Sequence, residues 1–200
     1  MTRSTAFARL SAMIMPEPTI RRLDRVNDDL IGRLADILID CVEGGASVGF
    51  MHPLSRDRAL AFWRRVADGV ASGGRVLQIA EDESGPCGTV QLVLDLPENQ
   101  PHRADLVKML VHRRARRRGL GAALVRAAEA EARARGRTLL VLDAVTDGDG
   151  SRLYERLGWV RVGDVPGFAL MPGGAPCSTT FYYRDLAASR TGPVDPALPA

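Results

Sequence analysis

Val111–Ala122 reads Val-His-Arg-Arg-Ala-Arg-Arg-Arg-Gly-Leu-Gly-Ala, and the reading of this stretch decides the fold. An apolar, β-branched run, Leu106 to Val111, leads into a basic turn. Gly119-Leu120-Gly121 follows, and a long alanine-rich helical segment starts at once. Strand, tight turn and helix N-terminus form a geometry that binds phosphate. The first N–H groups of a helix have no intrahelical partner, and the macrodipole places about half a positive charge beside them. Glycine lets the backbone approach an anion with no Cβ in the way. The bland reading of Arg113 to Arg118 is a solvated basic turn, and it holds for several of these side chains even where the backbone binds an anion.

The flanking sequence alternates between strand and helix patterns. Thr19 to Leu23 reads as a first strand. Asn27, Asp28 and Asp29 offer caps for a helix running to about Val42, with Ile31, Leu34, Ala35 and Leu38 at helical spacing. Ser55 caps a second helix whose apolar face is Ala59, Phe62, Trp63, Val66 and Val70, stopped by Gly73-Gly74. Val76 to Ala80 and Gly88 to Leu94 read as a hairpin around Asp82 to Pro86. Ala104 to Val111 is the next strand, and Gly119 to Arg135 a helix with Arg126, Glu129 and Arg133 facing outward. Thr138 to Val145, apolar on both sides, reads as a buried central strand. Gly150 to Leu157 is a short helix. Trp159 to Val162 and Thr179 to Tyr183 are the last strands, with a Pro/Gly-rich loop from Pro166 to Pro176.

Two hundred residues suit one domain with a real core. Net charge is only +3, and Lys108 is the sole lysine, so nearly all the basic charge is arginine. Cys41, Cys87 and Cys177 are far apart and form no metal or disulfide pattern, which points to a reduced, cytoplasmic setting with no metal. No stretch is long enough to span a membrane. Residues 1–17 read as a flexible leader, with Met13 and Met15 as alternative starts, residues 18–187 as the folded domain, and residues 188–200 as a disordered tail.

Arg116-x-x-Gly119-x-Gly121, between a strand and a helix, resembles the acyl-CoA pyrophosphate loop of the GCN5-related N-acetyltransferases (GNAT). The order of elements matches that family over about residues 18 to 186. The resemblance implies a mixed α/β fold whose mostly antiparallel sheet is split between two central parallel strands, here 104–111 and 138–145. It implies acetyl-CoA as co-substrate and direct transfer of the acetyl group to a primary amine. The amides of Arg116, Arg117, Arg118, Gly119, Leu120, Gly121 and Ala122 would surround the pyrophosphate, and Met109, Leu110 and Val111 would hydrogen-bond the pantetheine arm as an added strand. An amide near Leu110 would also serve the oxyanion.

The same resemblance places a carboxylate base eleven residues before the loop arginine, which is Asp105. Asp143, interrupting the run Leu139 to Leu142, is the second candidate. A strand-end hydrogen bond and a salt bridge are the structural alternatives for these two acids. Leu153-Tyr154-Glu155-Arg156-Leu157-Gly158-Trp159 matches the family motif whose tyrosine protonates the leaving thiolate, so Tyr154 is the candidate acid. The family often carries Asn seven residues before this tyrosine and Ala four before; here stand Asp147 and Gly150. Asp147-Gly148-Asp149-Gly150 reads as a turn and helix cap rather than a calcium loop.

Acceptor specificity is assigned to the loops Gly44 to His52 and Pro166 to Pro176. Phe50, Met51, Trp63, Phe168 and Tyr182 are candidates for the acceptor pocket, with core packing the favoured reading for most of them. The local patterns look most like bacterial small-molecule members of the tabtoxin-resistance type. The implied acceptor is an amino-acid-like metabolite, toxin or antibiotic, with a ribosomal or lysine amine as runner-up and a homodimer as the assembly common in the family.

Other readings fit less well. Gly45-Ala46-Ser47-Val48-Gly49 matches a hydrolase elbow but follows a helix instead of a strand. Gly119-Leu120-Gly121 lacks the third glycine of a dinucleotide fingerprint, and no P-loop lysine is present. A nucleic-acid module, the main non-enzymatic rival beside a non-catalytic acyl-CoA binder, lacks aromatics interleaved with its basic run.

Overall fold

Asn27 and Ser55 start the first two helices, their side-chain oxygens accepting from the N–H groups of Leu30 (2.9 Å) and Arg58 (3.4 Å). Each satisfies a donor that the helix itself leaves free. Asn27→Ala is expected to cost about 1 kcal/mol of stability, read as a lower urea midpoint at unchanged slope.

The computed structural model describes residues 18–187. The leader and tail expected at residues 1–17 and 188–200 lie outside the described residues. The elements run β1 (Thr19–Leu23), α1 (Asp28–Glu43), α2 (Arg56–Ala71), β2 (Arg75–Asp82), β3 (Gly85–Val93) and β4 (Arg103–Val111). After a 3-10 turn at Arg113–Ala115 come α3 (Leu120–Ala134), β5 (Leu139–Val145), α4 (Asp149–Arg156), β6 (Val160–Leu170) and β7 (Pro176–Asp185).

The strands form one seven-stranded sheet in the order β1-β2-β3-β4-β5-β7-β6. All neighbours are antiparallel except β4 and β5. Helices α1 and α2 cover one face, where Leu34, Leu38 and Trp63 pack on Leu77, Ile79 and Leu110. Helices α3 and α4 cover the other, where Leu120, Leu124 and Tyr154 pack with Val90, Leu92, Leu106, Leu140 and Leu142.

Three expectations need correction. The Pro166–Pro176 segment is mostly strand, because β6 runs on to Leu170 and only the residues between Leu170 and Pro176 turn. Pro166 is tolerated because β6 is the edge of the sheet, where a missing N–H breaks no ladder. The central strand β5 is buried on one face only: Leu140 and Leu142 enter the core while Asp143 is exposed. Glu129 faces inward, 7% exposed, where it accepts a hydrogen bond from the Trp159 indole at 3.0 Å.

Candidate active site

The two parallel strands separate almost as soon as they meet. They are paired only at Arg103↔Leu139, Ala104↔Leu140 and Asp105↔Val141. From Leu106 onward β4 has no partner on its β5 side, so its edge lines a wedge-shaped split. A bulge opens β4 at the same place. Opposite Thr89–Gln91 of β3, the register of β4 gains one residue, and Lys108 there has a left-handed backbone (φ 51°). The Thr89 hydroxyl, fully buried, donates to the Lys108 carbonyl at 3.0 Å and holds the bulge.

Strain concentrates around the split. The three non-glycine residues with positive φ among the described residues are Lys108, Arg117 (63°) and Asp147 (56°). They stand on the β4 bulge, the β4–α3 connection and the β5–α4 connection, the three segments that rim the opening. Left-handed backbone in such residues is costly and collects at functional sites.

On the α3 side of the split, the helix begins without a cap. Gly119 precedes it at φ 76°, no side chain bonds to its first N–H groups, and no atom lies within 4 Å of the position a Cβ would take. This contrasts with the capped starts of α1 and α2. Gly121 has a different role, since a Cβ there would stand 3.1 Å from Leu153 Cδ2. It lets α3 approach α4, a packing role distinct from the approach to an anion expected for it.

The basic run divides by partner. Arg113 is fastened to Asp40, Nε and backbone N–H each donating at 2.8 Å. Burial alone raises the Asp40 carboxyl, but these bonds outweigh it and hold the group below its ordinary range. Arg114 joins Asp82 at 2.5 Å and the carbonyls of Gly85 and Pro86. Arg116 turns back, its Nε donating to the Val111 carbonyl at 3.0 Å, so that carbonyl is engaged within the chain. Arg117 and Arg118 are exposed and lie nearest the open start of α3.

On the α1/α2 face the split carries the candidate acids. Asp105 and Asp143 point to the same face, because Asp105 pairs with Val141 and Asp143 is two residues on. Burial pushes the Asp105 carboxyl above its ordinary range; the Arg103 guanidinium, 2.5 Å away, opposes this and the charge of Asp143 adds to it. Asp143 is exposed and makes no hydrogen bond or salt bridge with the described residues. Tyr154, on α4, is 6% exposed, its ring 5.6 Å from that of Trp159 and 6.1 Å from that of Tyr182. Burial and the charge of Asp143 raise its phenol. Asp143 thus acts electrically on Asp105, Tyr154 and Lys108 together.

Of the residues assigned to the acceptor pocket, Trp63 and Tyr182 belong to the core, at 0% and 1% exposure. The Tyr182 hydroxyl donates to Glu155 at 3.0 Å on the α4 side. Phe50 stands edge-on to Phe62, ring centroids 5.3 Å apart, and Phe168 edge-on to Phe181 at 5.5 Å. Phe181 is the direct neighbour of Asp143 across β5 and β7. The two variable loops meet: Ser47 Oγ donates to the Leu170 carbonyl at 3.1 Å and the His52 N–H to that of Pro172 at 3.0 Å. Sequence reasoning missed Phe181 and Lys108, although a lone lysine in an arginine-rich chain was a visible signal.

Among the described residues no helix is long and apolar enough to cross a membrane, and no cluster of His, Cys, Asp or Glu side chains is arranged to hold a metal ion.

Comparison with known proteins agrees with this architecture. Residues 33–159 match the model of the Acetyltransferase (GNAT) family. An uncharacterised N-acetyltransferase from the hisH–hisA intergenic region of Azospirillum brasilense is 31% identical over 131 residues, 64% of this chain and 76% of the relative. Among solved structures, YncA of Salmonella typhimurium, a putative acetyltransferase with its cofactor acetyl-CoA, superposes with a TM-score of 0.70 at 18% identity, covering 91% of this chain and 100% of that one. An N-acetyltransferase of Staphylococcus aureus Mu50 gives 0.70 at 17% identity over 86% and 99%. The chain belongs to the GNAT acetyltransferase family. Its fold is the mixed, split sheet of that family.

Proposed function

We propose that this protein transfers the acetyl group of acetyl-CoA directly to a primary amine of a small molecule, both substrates being bound at the β4–β5 split. One observation carries the reading: the split joins an uncapped helix start on one side to a pair of carboxylates on the other. The residues fit acetyl-CoA. The free N–H groups at Leu120, Gly121 and Ala122, with those of Arg117 to Gly119, suit a pyrophosphate, while the Arg116 N–H is already given to the Arg113 carbonyl at 3.3 Å. The edge of β4 at Met109, Leu110 and the N–H of Val111 suits the amides of the pantetheine arm, the Val111 carbonyl being taken by Arg116.

When bound, acetyl-CoA supplies an activated thioester. The chain's own groups do the rest. Asp105 and Asp143 attract the acceptor as its ammonium ion. Asp105, with its raised affinity for protons, takes one and frees the nitrogen lone pair. The nitrogen attacks the thioester carbon and the carbon–sulfur bond breaks; the Tyr154 hydroxyl gives its proton to the departing sulfur, and the second nitrogen proton, shed as the amide forms, returns to the phenol. Because burial holds the phenol protonated, it remains a donor throughout the working pH range.

The hydrogen-bonded loops over the acceptor face favour a small acceptor over a protein side chain. The test is release of free CoA from acetyl-CoA in the presence of a panel of small primary amines and of lysine-bearing peptides. Turnover with small amines and not with peptides is expected; turnover with peptides alone would overturn the small-molecule assignment.

A further inference from the structure

Lys108 is one of 27 cationic side chains, and all the others are arginine. It also occupies the most constrained place in the site, on the β4 bulge with a left-handed backbone. Its side chain lies along the α1/α2 face. Nζ stands 5.9 Å from the centre of the Phe62 ring and 3.5 Å from the position a Cβ of Gly49 would take, under the loop between α1 and α2. It makes no hydrogen bond or salt bridge with the described residues. A largely buried ammonium without an anionic partner is expensive.

The surroundings show what this cation faces. Asp143 and Asp105 lie on the same face, further along the split, and attract an ammonium group. Arg75, half-buried on β2, donates to the Gln91 side chain at 2.7 Å, and Gln91, fully buried, keeps its Nε2 unbonded. Gln91 sits opposite Val107, the residue before Lys108. One face of the split therefore carries two carboxylates toward one end and the Lys108 ammonium toward the other, with Phe62 beside the lysine and Phe181 beside Asp143.

We infer that Lys108 is a specificity residue that binds an acid group on the acceptor, so that the preferred acceptor carries both an amine and a carboxylate or similar anion. This rests on the transferase reading above and deepens it. Burial and the charge of Arg75 lower the Lys108 proton affinity, and Asp143 restores part of it. A neutral lysine acting as the base would make a different prediction, which the arginine variant separates.

The experiment measures kcat/KM for matched pairs, amino acids against their carboxamides, by release of CoA, in the wild type, Lys108→Met and Lys108→Arg. The wild type is expected to prefer the acid of a pair by about tenfold or more, the scale of one hydrogen bond to a charged group. Lys108→Met loses that preference through a higher KM for the acid, while Lys108→Arg keeps a preference. Equal rates for acid and amide in the wild type, or a preference that survives in Lys108→Met, would overturn the inference while leaving the transferase reading in place. Loss of turnover on both members in Lys108→Arg would also overturn it, assigning Lys108 as the base. No CoA release with any amine, despite acetyl-CoA binding, would overturn both.

Discussion

Asp105→Asn is expected to lower kcat/KM for the acceptor amine by about 10²- to 10⁴-fold, the range of a positioned general base, with acetyl-CoA affinity retained. The pH dependence gives the expectation its sign. Activity requires the ionised carboxylate, so it falls as pH drops through the Asp105 pKa. Burial raises that pKa, so the acid limb of the wild type lies above the ordinary aspartate value of about 3.9. The variant loses this limb. Linkage also fixes the effect on stability. A carboxyl with a raised folded pKa favours the native state at low pH, and that contribution is lost as pH rises through the folded value. The ionised group therefore burdens the fold at neutral pH, and the melting temperature of Asp105→Asn at pH 7 is expected to equal or exceed that of the wild type. A markedly lower melting temperature with full activity would assign Asp105 a structural role with Arg103 instead.

Tyr154→Phe is expected to reduce kcat by about 10²-fold or more. The ring contacts with Trp159 and Tyr182 involve the aromatic face and edge, which phenylalanine keeps, so the fold and acetyl-CoA binding persist. The shape of the pH profile is unchanged, because burial and Asp143 keep the phenol protonated well above neutrality. Stopped-flow and steady-state measurement of CoA release across pH checks both points. Undiminished turnover in Tyr154→Phe would remove this residue from the chemistry.

Much of the architecture was legible because local signals agreed with one another. Thr19–Leu23, the Ser55 cap and the two-strand hairpin stand where apolar spacing and turn residues put them. The path of β6 was not legible. Pro166 and Gly167 are the residues of a loop, and only the sheet order shows that they fall on an edge where a strand tolerates them. Asp143 was read as part of a strand buried on both faces, yet it is exposed because the sheet opens beside it, a consequence of pairing rather than of composition. Tyr182 and Trp63 read as core before pocket, and the sequence could not show which of the aromatic and apolar candidates stay open to the site, since an alternating strand or a helix face gives no sign of which sheet face holds it. Lys108 required the bulge and the overlying Gly49 loop, both products of long-range packing.

Calorimetric titration with acetyl-CoA, using dephospho-CoA as control, tests the central claim most directly when wild type is compared with Gly119→Asp. Aspartate adopts a left-handed backbone more readily than most residues, though at a strain, and its Cβ meets open space at this position. Its carboxylate places negative charge beside the N–H groups assigned to the pyrophosphate. The expected result is saturable one-to-one binding to the wild type and binding at least about tenfold weaker in the variant, with stability lowered by no more than about 1–2 kcal/mol, the cost of a left-handed non-glycine residue. Absence of binding to the wild type, or equal affinity in Gly119→Asp, would contradict it.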